Sequence, residues 1–180
     1  RFIPNDLDLN NWSAIEPFFL SLVNRNNSSI EDLLKWLYDL SELEAVIEEH
    51  AGWLYIRMTC DTQDKKLTEA YTYFVEEINP KIAPYSDQLN KKFIAEPAMN
   101  SLDARYENHI KSVQNSIRLF REENIPLHAQ LSVKEQTYGE ISGAMTVEVN
   151  GKTLTLQQAA NFLKEPDRNL RDEVYHKIVA

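Results

Sequence analysis

The chain has 180 residues, enough for one domain of ordinary size, and 43% of them are hydrophobic, which suffices for a sizeable core. Nineteen basic residues against 28 acidic ones give a net charge of −9, which argues against nucleic acid or an anionic membrane surface as a partner. No apolar run approaches the ~18 residues of a membrane span, and the single cysteine, Cys60, excludes an intrachain disulfide and predicts a reducing, cytoplasmic compartment.

The first third of the chain predicts two helices. After an N-terminal segment that contains Pro4, the first helix is expected from about Trp12 to Asn24. Ser28-Ser-Ile-Glu31 predicts a capping box, and the helix behind it is long, at roughly 45 Å. Glu44 is the one polar residue that interrupts the predicted apolar face of this helix. Its predicted inward positions recur in steps of three and four: Ile30, Leu33, Leu37, Leu40, Ile47, Ala51, Leu54 and Met58.

The stretch Asp61-Thr-Gln-Asp64 is predicted to end this helix and to cap the next one. Pro80 and Pro84 lie inside the next apolar stripe, so a kink or short break is predicted near residues 79–85. A fourth helix is predicted from Asn100 or Ser101 to about residue 124, followed by a loop or short helix. The predicted inward residues of the third helix are Leu67, Tyr71, Phe74, Ile78, Ile82, Tyr85, Leu89 and Phe93.

Residues 143–160 contain a stretch without helical character. Alternation over Met145–Val149 and the pair Asn150-Gly151 predict a β-hairpin that returns over Lys152–Leu154. Thr155-Leu-Gln-Gln158 predicts a capping box that opens a helix reaching Lys164. A last helix is predicted over Asp167–Ala180, with Leu170, Val174 and Ile178 inward. Because a lone hairpin is marginal in water, it must pack on another element.

The predicted fold class is therefore mainly α, with long antiparallel helices and one small hairpin at about residues 145–155. Two regions are predicted: a long-helix region over residues 1–127 and a hairpin–helix region over 128–180 that is incomplete at its C-terminus. The chain begins without Met and ends inside an apolar pattern, so we expect a piece of a longer protein. We also expect self-association through the apolar faces of the last helix and the hairpin.

No arrangement of polar residues predicts catalytic or metal-binding chemistry. The four histidines do not have the His-Glu-x-x-His spacing that places two zinc ligands on one helical face: His50, His109, His128 and His176. Glu173-Val-Tyr-His176 has the spacing of di-iron bundles, which require two such pairs, and the sequence has one. We therefore predict no catalytic, metal-ligating or cofactor-binding residue, and substrate-binding residues stay unknown.

The remaining polar clusters have ordinary structural interpretations. Glu48-Glu49-His50 and Glu107-Asn-His109 are interpreted as solvated or capping groups, because neighbouring helical residues do not face each other. Lys65-Lys66 and Lys91-Lys92 are interpreted as solvated helix faces. Cys60 is interpreted as a buried structural residue.

Four stretches resemble the N-terminal part of an oligoendopeptidase F-type zinc metallopeptidase, a relative of thimet oligopeptidase. They are AGWLYIRMTCDTQD at 51–64, FREENIPL at 120–127, GAMTVEVNGKTLTLQQAA at 143–160 and DRNLRDEVY at 167–175. They follow one another in the family's order over nearly the whole chain. None contains a catalytic motif, and the family's His-Glu-x-x-His would lie beyond Ala180.

The resemblance implies a larger, mostly helical peptidase whose two halves face each other across a deep channel. Zinc would belong to the parent enzyme and to its missing C-terminal catalytic half, with no cofactor in this segment. The segment would be non-catalytic and form one wall of a channel for oligopeptide substrates. Residues 145–155 would either offer a strand edge to an extended peptide or form a small structural sheet. The alternative function is a free-standing helical domain that binds proteins or peptides.

Overall fold

The computed structural model describes residues 1–62 and 64–180, and it contains two compact units, Arg1–Val133 and Lys134–Ala180. Gln63, part of the predicted junction between two helices, lies outside the described residues. The domain division at residues 127 and 128 stays a prediction, because compactness alone does not define a domain. In both units the described residues are mainly helical, and one small antiparallel hairpin supplies the strands, which confirms the predicted fold class.

The first unit consists of helices joined by short turns. The α-helices are α1 (Trp12–Asn24), α2 (Ile30–Cys60), α3 (Lys65–Tyr73), α4 (Asn79–Ala95), α5 (Glu107–Leu119) and α6 (Ile125–Ala144), of which α6 continues past residue 133. A π-helical turn, Phe74–Ile78, joins α3 to α4. The 3-10 turns are Pro97–Ser101, Ala104–Tyr106 and Glu122–Asn124.

Side chains cap the first two helices, and at α2 the cap lies one residue beyond the predicted one. Asn11 accepts a hydrogen bond from the backbone N–H of Ser13 at the start of α1. At the start of α2 the capping box pairs Ser29 with Asp32, so the predicted pair Ser28 and Glu31 was wrong. The reason is that Ser29 has extended backbone angles, φ −128° and ψ 169°, and is the last residue outside the helix.

The buried face of α2 is rotated relative to the predicted one in its first half. Trp36, Asp39 and Leu43 are buried, whereas Leu37 and Leu40 are only partly buried. Trp36 has the larger apolar surface, so burying its side chain outweighs burying the two leucines. The second half follows the prediction. The predicted inward residues of α2 that are buried are Leu33, Ile47, Leu54 and Met58.

The prolines of the third predicted helix change its geometry at one end only. Pro80 has no N–H to donate, and the π-helical turn lies directly before it, with the N–H of Asn79 bonded to the carbonyl of Phe74. Helix α4 then continues through Pro84, so the predicted disturbance occurs earlier than residues 79–85. The inward stripe is confirmed at its four fully packed positions, which are Phe74, Ile78, Leu89 and Phe93.

The region between residues 100 and 144 differs most from the prediction. The fourth helix begins at Glu107 and ends at Leu119, because two 3-10 turns precede it. The expected loop or short helix is instead the 20-residue helix α6. This helix has no one-sided apolar pattern, and several of its large apolar residues are exposed: Leu127, Leu131, Tyr138 and Ile141. A search for amphipathic periodicity therefore does not detect it.

In the second unit, strands β1 (Thr146–Val149) and β2 (Lys152–Thr155) pair antiparallel, with Val149 opposite Lys152. Asn150 and Gly151 have φ values of 52° and 73°, which confirms the predicted two-residue turn. Among the described residues, β1 and β2 are the whole sheet. The hairpin packs on the helices that follow it in sequence, as a marginally stable hairpin must.

Those helices are α7 (Leu156–Ala160), a 3-10 turn Asn161–Lys164, and α8 (Arg168–Val179). The capping box of Thr155 and Gln158 is present as predicted. The α-helix that it opens ends after five residues and continues as the 3-10 turn. Asp167 caps α8 by accepting from the N–H groups of Asn169 and Leu170. A small core forms around the fully buried Val149, Ala159 and Val174, with partly buried Val147, Leu154, Phe162, Leu163, Leu170 and Ile178.

Candidate functional site

A cavity of about 390 Å³ lies in the first unit, between the start of α4 and the segment that joins α5 to α6. One wall is apolar and comes from Val75, Pro80 and Ala83 around the π-helical turn. The opposite side contributes further apolar atoms, from Leu119, Phe120, Ile125 and Ala129. This volume falls in the range of sites for small ligands.

Five polar side chains also line this cavity: Asn79, Arg121, Asn124, His128 and Ser132. His128 and Ser132 lie four residues apart on one face of α6, and Asn124, four residues before His128, ends the 3-10 turn that precedes this helix. The Arg121 guanidinium is anchored, because its Nη1 donates to the carbonyls of Arg118 at 3.0 Å and Phe120 at 2.6 Å. The cavity therefore combines one positive charge, restrained by two hydrogen bonds, with further hydrogen-bonding groups and an apolar wall.

Sequence reasoning missed this cavity. Residues 120–127 resemble a stretch of a peptidase family, but this resemblance assigns no role to any of them. The available signal was the polar series Asn124, His128 and Ser132, whose spacing is helical. It was not recognised because residues 125–144 were predicted to be a loop or short helix. The opposite wall comes from residues about 45 positions earlier, so no local pattern joins the two.

A second concave surface is a groove of about 450 Å³ between α2 and the start of α5. On the α2 side it is lined by Leu34, Leu37, Tyr38 and other residues of the same face, and on the other side by Tyr106 and His109. Glu44 lies at this groove. Desolvation of its carboxyl by surrounding protein, with the nearby negative charge of Glu48, raises the pKa of Glu44 above its ordinary value. The groove is thus mainly apolar, with the Glu44 carboxyl at its edge.

The histidines and glutamates considered from the sequence are held apart in separate interactions. Glu173 accepts a hydrogen bond from Lys177 at 2.6 Å, and His176 Nδ1 lies 2.8 Å from the carbonyl of Asp172. Glu107 pairs with Lys111 at 2.7 Å. The His109 ring packs against Phe93 with centroids 5.4 Å apart. These partners are structural, and they bring no pair of the four histidines together.

His50 is more constrained than a solvated group. Its Nε2 lies 3.1 Å from Asn10 Oδ1, and its ring meets the Phe74 ring edge-on at 5.8 Å. Desolvation and the charge of Arg57 lower the pKa of His50, and the Asp8 carboxylate opposes them only in part. His50 is therefore half-buried, and less solvated than its predicted role as a solvated or capping group implies. The neighbouring Glu48 and Glu49 are exposed, as expected.

Two further interpretations also need correction. Cys60 is a free, exposed thiol and not a buried structural residue, because it occupies the last turn of α2 on the side away from the core. Lys92 is partly buried, and its Nζ donates to the carbonyls of Val23, at 2.8 Å, and Arg25 beyond the C-terminal end of α1. Lys65 and Lys66 are exposed as predicted.

The described residues do not provide a zinc site. Across residues 1–62 and 64–180, no group of three or more His, Cys, Asp or Glu side chains is placed to hold a metal ion. Within the same ranges, no helix has the length and apolar character that crossing a membrane requires.

The family model described as the peptidase M3 N-terminal domain matches residues 6–120. This chain belongs to the peptidase M3 N-terminal domain family. The match covers more than half of the chain, including helices α1 to α5, and it confirms the resemblance to this peptidase family. Of the four stretches that resemble the family, the one at 51–64 lies wholly within the matched residues. No curated protein matches the chain.

The fold of this M3 N-terminal domain chain is similar to that of a solved structure titled PZ peptidase A with inhibitor 2. The TM-score is 0.80, the sequence identity is 17%, and the similarity covers 99% of this chain and 32% of that chain. The described fold therefore spans about a third of a larger peptidase structure. At this level of identity the likeness establishes the fold.

Proposed function

We propose that this chain is the N-terminal, non-catalytic part of a zinc-dependent metalloendopeptidase that hydrolyses short peptides, and that it forms one wall of the substrate channel. The observation that carries the proposal is the structural similarity over 99% of this chain to about a third of a peptidase. The family match over residues 6–120 supports it independently. The partner of this segment is then the C-terminal catalytic half, with zinc and an oligopeptide substrate.

This assignment gives the segment an architectural role. A channel wall must be a stiff surface, and α2, with 31 residues in one uninterrupted helix, supplies such a surface. The location we propose is cytoplasmic, and the single, exposed thiol of Cys60 supports a reducing compartment. The hairpin contributes packing in the second unit, and peptide addition to one of its strand edges stays a hypothesis.

The first experiment measures this chain alone. We expect no stoichiometric zinc by elemental analysis after purification and no cleavage of internally quenched fluorogenic peptides. Zinc at one equivalent per chain, or cleavage that chelators abolish, would contradict the non-catalytic role.

The second experiment supplies the remaining polypeptide. In the longer reading frame we expect a His-Glu-x-x-His motif within the few hundred residues after Ala180, and chelator-sensitive cleavage of oligopeptides by the complete protein. A complete protein that ends near Ala180 and binds partner proteins without hydrolysis would support the alternative, a free-standing interaction domain.

A further inference from the structure

The cavity between α4 and the α5–α6 connection has a chemical character that the architectural role does not use. Its lining contains one cation, Arg121, and no Asp or Glu among the described residues that form it. The rest of the lining is apolar or neutral and polar. A ligand that fits must therefore carry one anionic group next to an apolar group, with no cationic group that needs a carboxylate partner.

The cation is positioned before any ligand arrives. Nη1 of Arg121 donates to two backbone carbonyls, which restrains the guanidinium of this exposed residue at the cavity. A planar guanidinium with free N–H groups matches a carboxylate, because both partners are planar and the hydrogen bonds are charge-assisted. These two hydrogen bonds reduce the side-chain entropy that Arg121 loses when a ligand binds.

The nearby acidic residues do not cancel this charge inside the cavity. Glu76 and Glu77 follow Val75, and Glu122 and Glu123 follow Arg121, but all four are exposed and none lines the cavity. Glu77 also lies 3.6 Å from Lys81. Their carboxylates face solvent of high dielectric constant, where screening weakens their effect on an anion held against Arg121.

We propose that this cavity binds the C-terminal residue of a peptide, with the carboxylate on Arg121 and an apolar side chain against the wall formed by Val75, Pro80 and Ala83. A free amino acid fits less well, because its ammonium finds no carboxylate in the lining. In a peptide, the same nitrogen is a neutral amide. Its N–H can donate a hydrogen bond to a side-chain oxygen of Asn79, Asn124 or Ser132. This binding activity belongs to the segment itself and does not depend on whether the longer protein is a peptidase.

The test uses the 180-residue chain and three probes: N-acetyl-phenylalanine, its C-terminal amide, and free phenylalanine. Binding is followed by shifts of backbone amide resonances. We expect saturable shifts confined to residues 75–83 and 119–132 for N-acetyl-phenylalanine. Affinity should fall about tenfold or more for the amide probe, which lacks the charge-assisted hydrogen bonds, and it should also fall for free phenylalanine.

Two variants separate recognition from folding. Arg121→Gln removes the cation, and Ala129→Leu fills the cavity from the other wall without touching Arg121. Both should lose most of the affinity for N-acetyl-phenylalanine. Arg171→Gln is the matched control, since Arg171 lies in the second unit, outside the lining, and its Nη1 likewise donates to two backbone carbonyls, those of Glu165 at 2.7 Å and Pro166 at 2.8 Å. This variant should bind as the unmodified chain does.

Four results would overturn the proposal. They are the absence of saturable binding, equal affinity for the acid and its amide, tighter binding of free phenylalanine, and unchanged binding by both Arg121→Gln and Ala129→Leu. Unfolding curves of the variants check that each one is folded under the conditions of the titration.

Discussion

Arg25 Nη1 lies 2.5 Å from Asp39 Oδ2, which joins the segment after α1 to the middle of α2. Lys35 binds the same carboxylate oxygen at 2.8 Å from one turn earlier on α2. The Arg25 guanidinium also lies 5.1 Å from the centre of the Phe2 ring. These two cations compensate the negative charge of Asp39, which is why a carboxylate can occupy a buried position here.

The first prediction concerns the removal of this charge. Asp39→Ala should lower the free energy of unfolding by about 2 kcal/mol, the usual loss when hydrogen bonds to a charged group are broken. Urea unfolding at pH 7 measures it. Lys35→Gln is the control, because the Lys35 side chain is 71% exposed and such pairs contribute about 0–1 kcal/mol. Equal losses in the two variants would show that Arg25 is not the main partner.

The second prediction is the pH dependence of the same site. Burial raises the pKa of the Asp39 carboxyl, but the hydrogen bonds and charges of Lys35 and Arg25 outweigh it, so the pKa lies below the ordinary 3.8. The ionised carboxylate thus stabilises the fold fully above pH 3.8, and this stabilisation is lost as the pH falls through the lower folded value. The stability difference between the unmodified chain and Asp39→Asn should be constant from pH 7 to 5 and shrink below pH 4.

Helix α2 also shows what the sequence could and could not predict. Its length and end follow from a long apolar pattern and Asp61, and its start lies one residue beyond the one that the predicted serine cap gives. The first half of its buried face does not follow, because Asp39 occupies a buried position that hydrophobicity assigns to solvent. The compensating residue, Arg25, lies in another segment, and no local pattern links the two.

The candidate site was harder to predict than the fold, for a related reason. Periodicity detects helices that are apolar on one side, and α6 is apolar on several sides. Without α6, the side chains of His128 and Ser132 could not be placed on a common face. The π-helical turn before Pro80, which forms the opposite wall, also has no sequence signature beyond the proline itself.

The third prediction concerns Trp36, which is fully buried between α1 and α4. Its Nε1 donates to the carbonyl of Leu22 at 2.9 Å, and its ring stacks on Phe93 with centroids 6.3 Å apart. Trp36→Ala should cost about 3–5 kcal/mol, and Trp36→Phe about 1–2 kcal/mol, because it keeps the stacking and leaves the carbonyl unpaired. Denaturant unfolding measures both. Trp53→Ala, at a side chain with 51% exposure, is the control and should change stability little.

The fourth prediction concerns His50. Its pKa is lowered below 6.5 in the folded chain, so the unfolded chain takes up a proton first as the pH falls. Folding stability should therefore decrease as the pH drops from above 6.5 through the lower folded pKa. His50→Gln, which can still donate to Asn10, should show a smaller decrease between pH 7 and 5. Parallel stability curves for the two proteins would contradict this assignment.

The last prediction uses two glycines of the second unit that differ in backbone conformation. Gly151 has φ +73° at the hairpin turn and Gly139 lies within helix α6, and neither has an atom within 4 Å of an added Cβ. Gly151→Ala should therefore destabilise the hairpin by about 1–2 kcal/mol through backbone strain alone. Gly139→Ala should stabilise its helix by about 0.5–1 kcal/mol. Amide hydrogen exchange in β1, β2 and α6 measures both effects. The two substitutions should change stability in opposite directions, and a stabilising Gly151→Ala would contradict the left-handed turn.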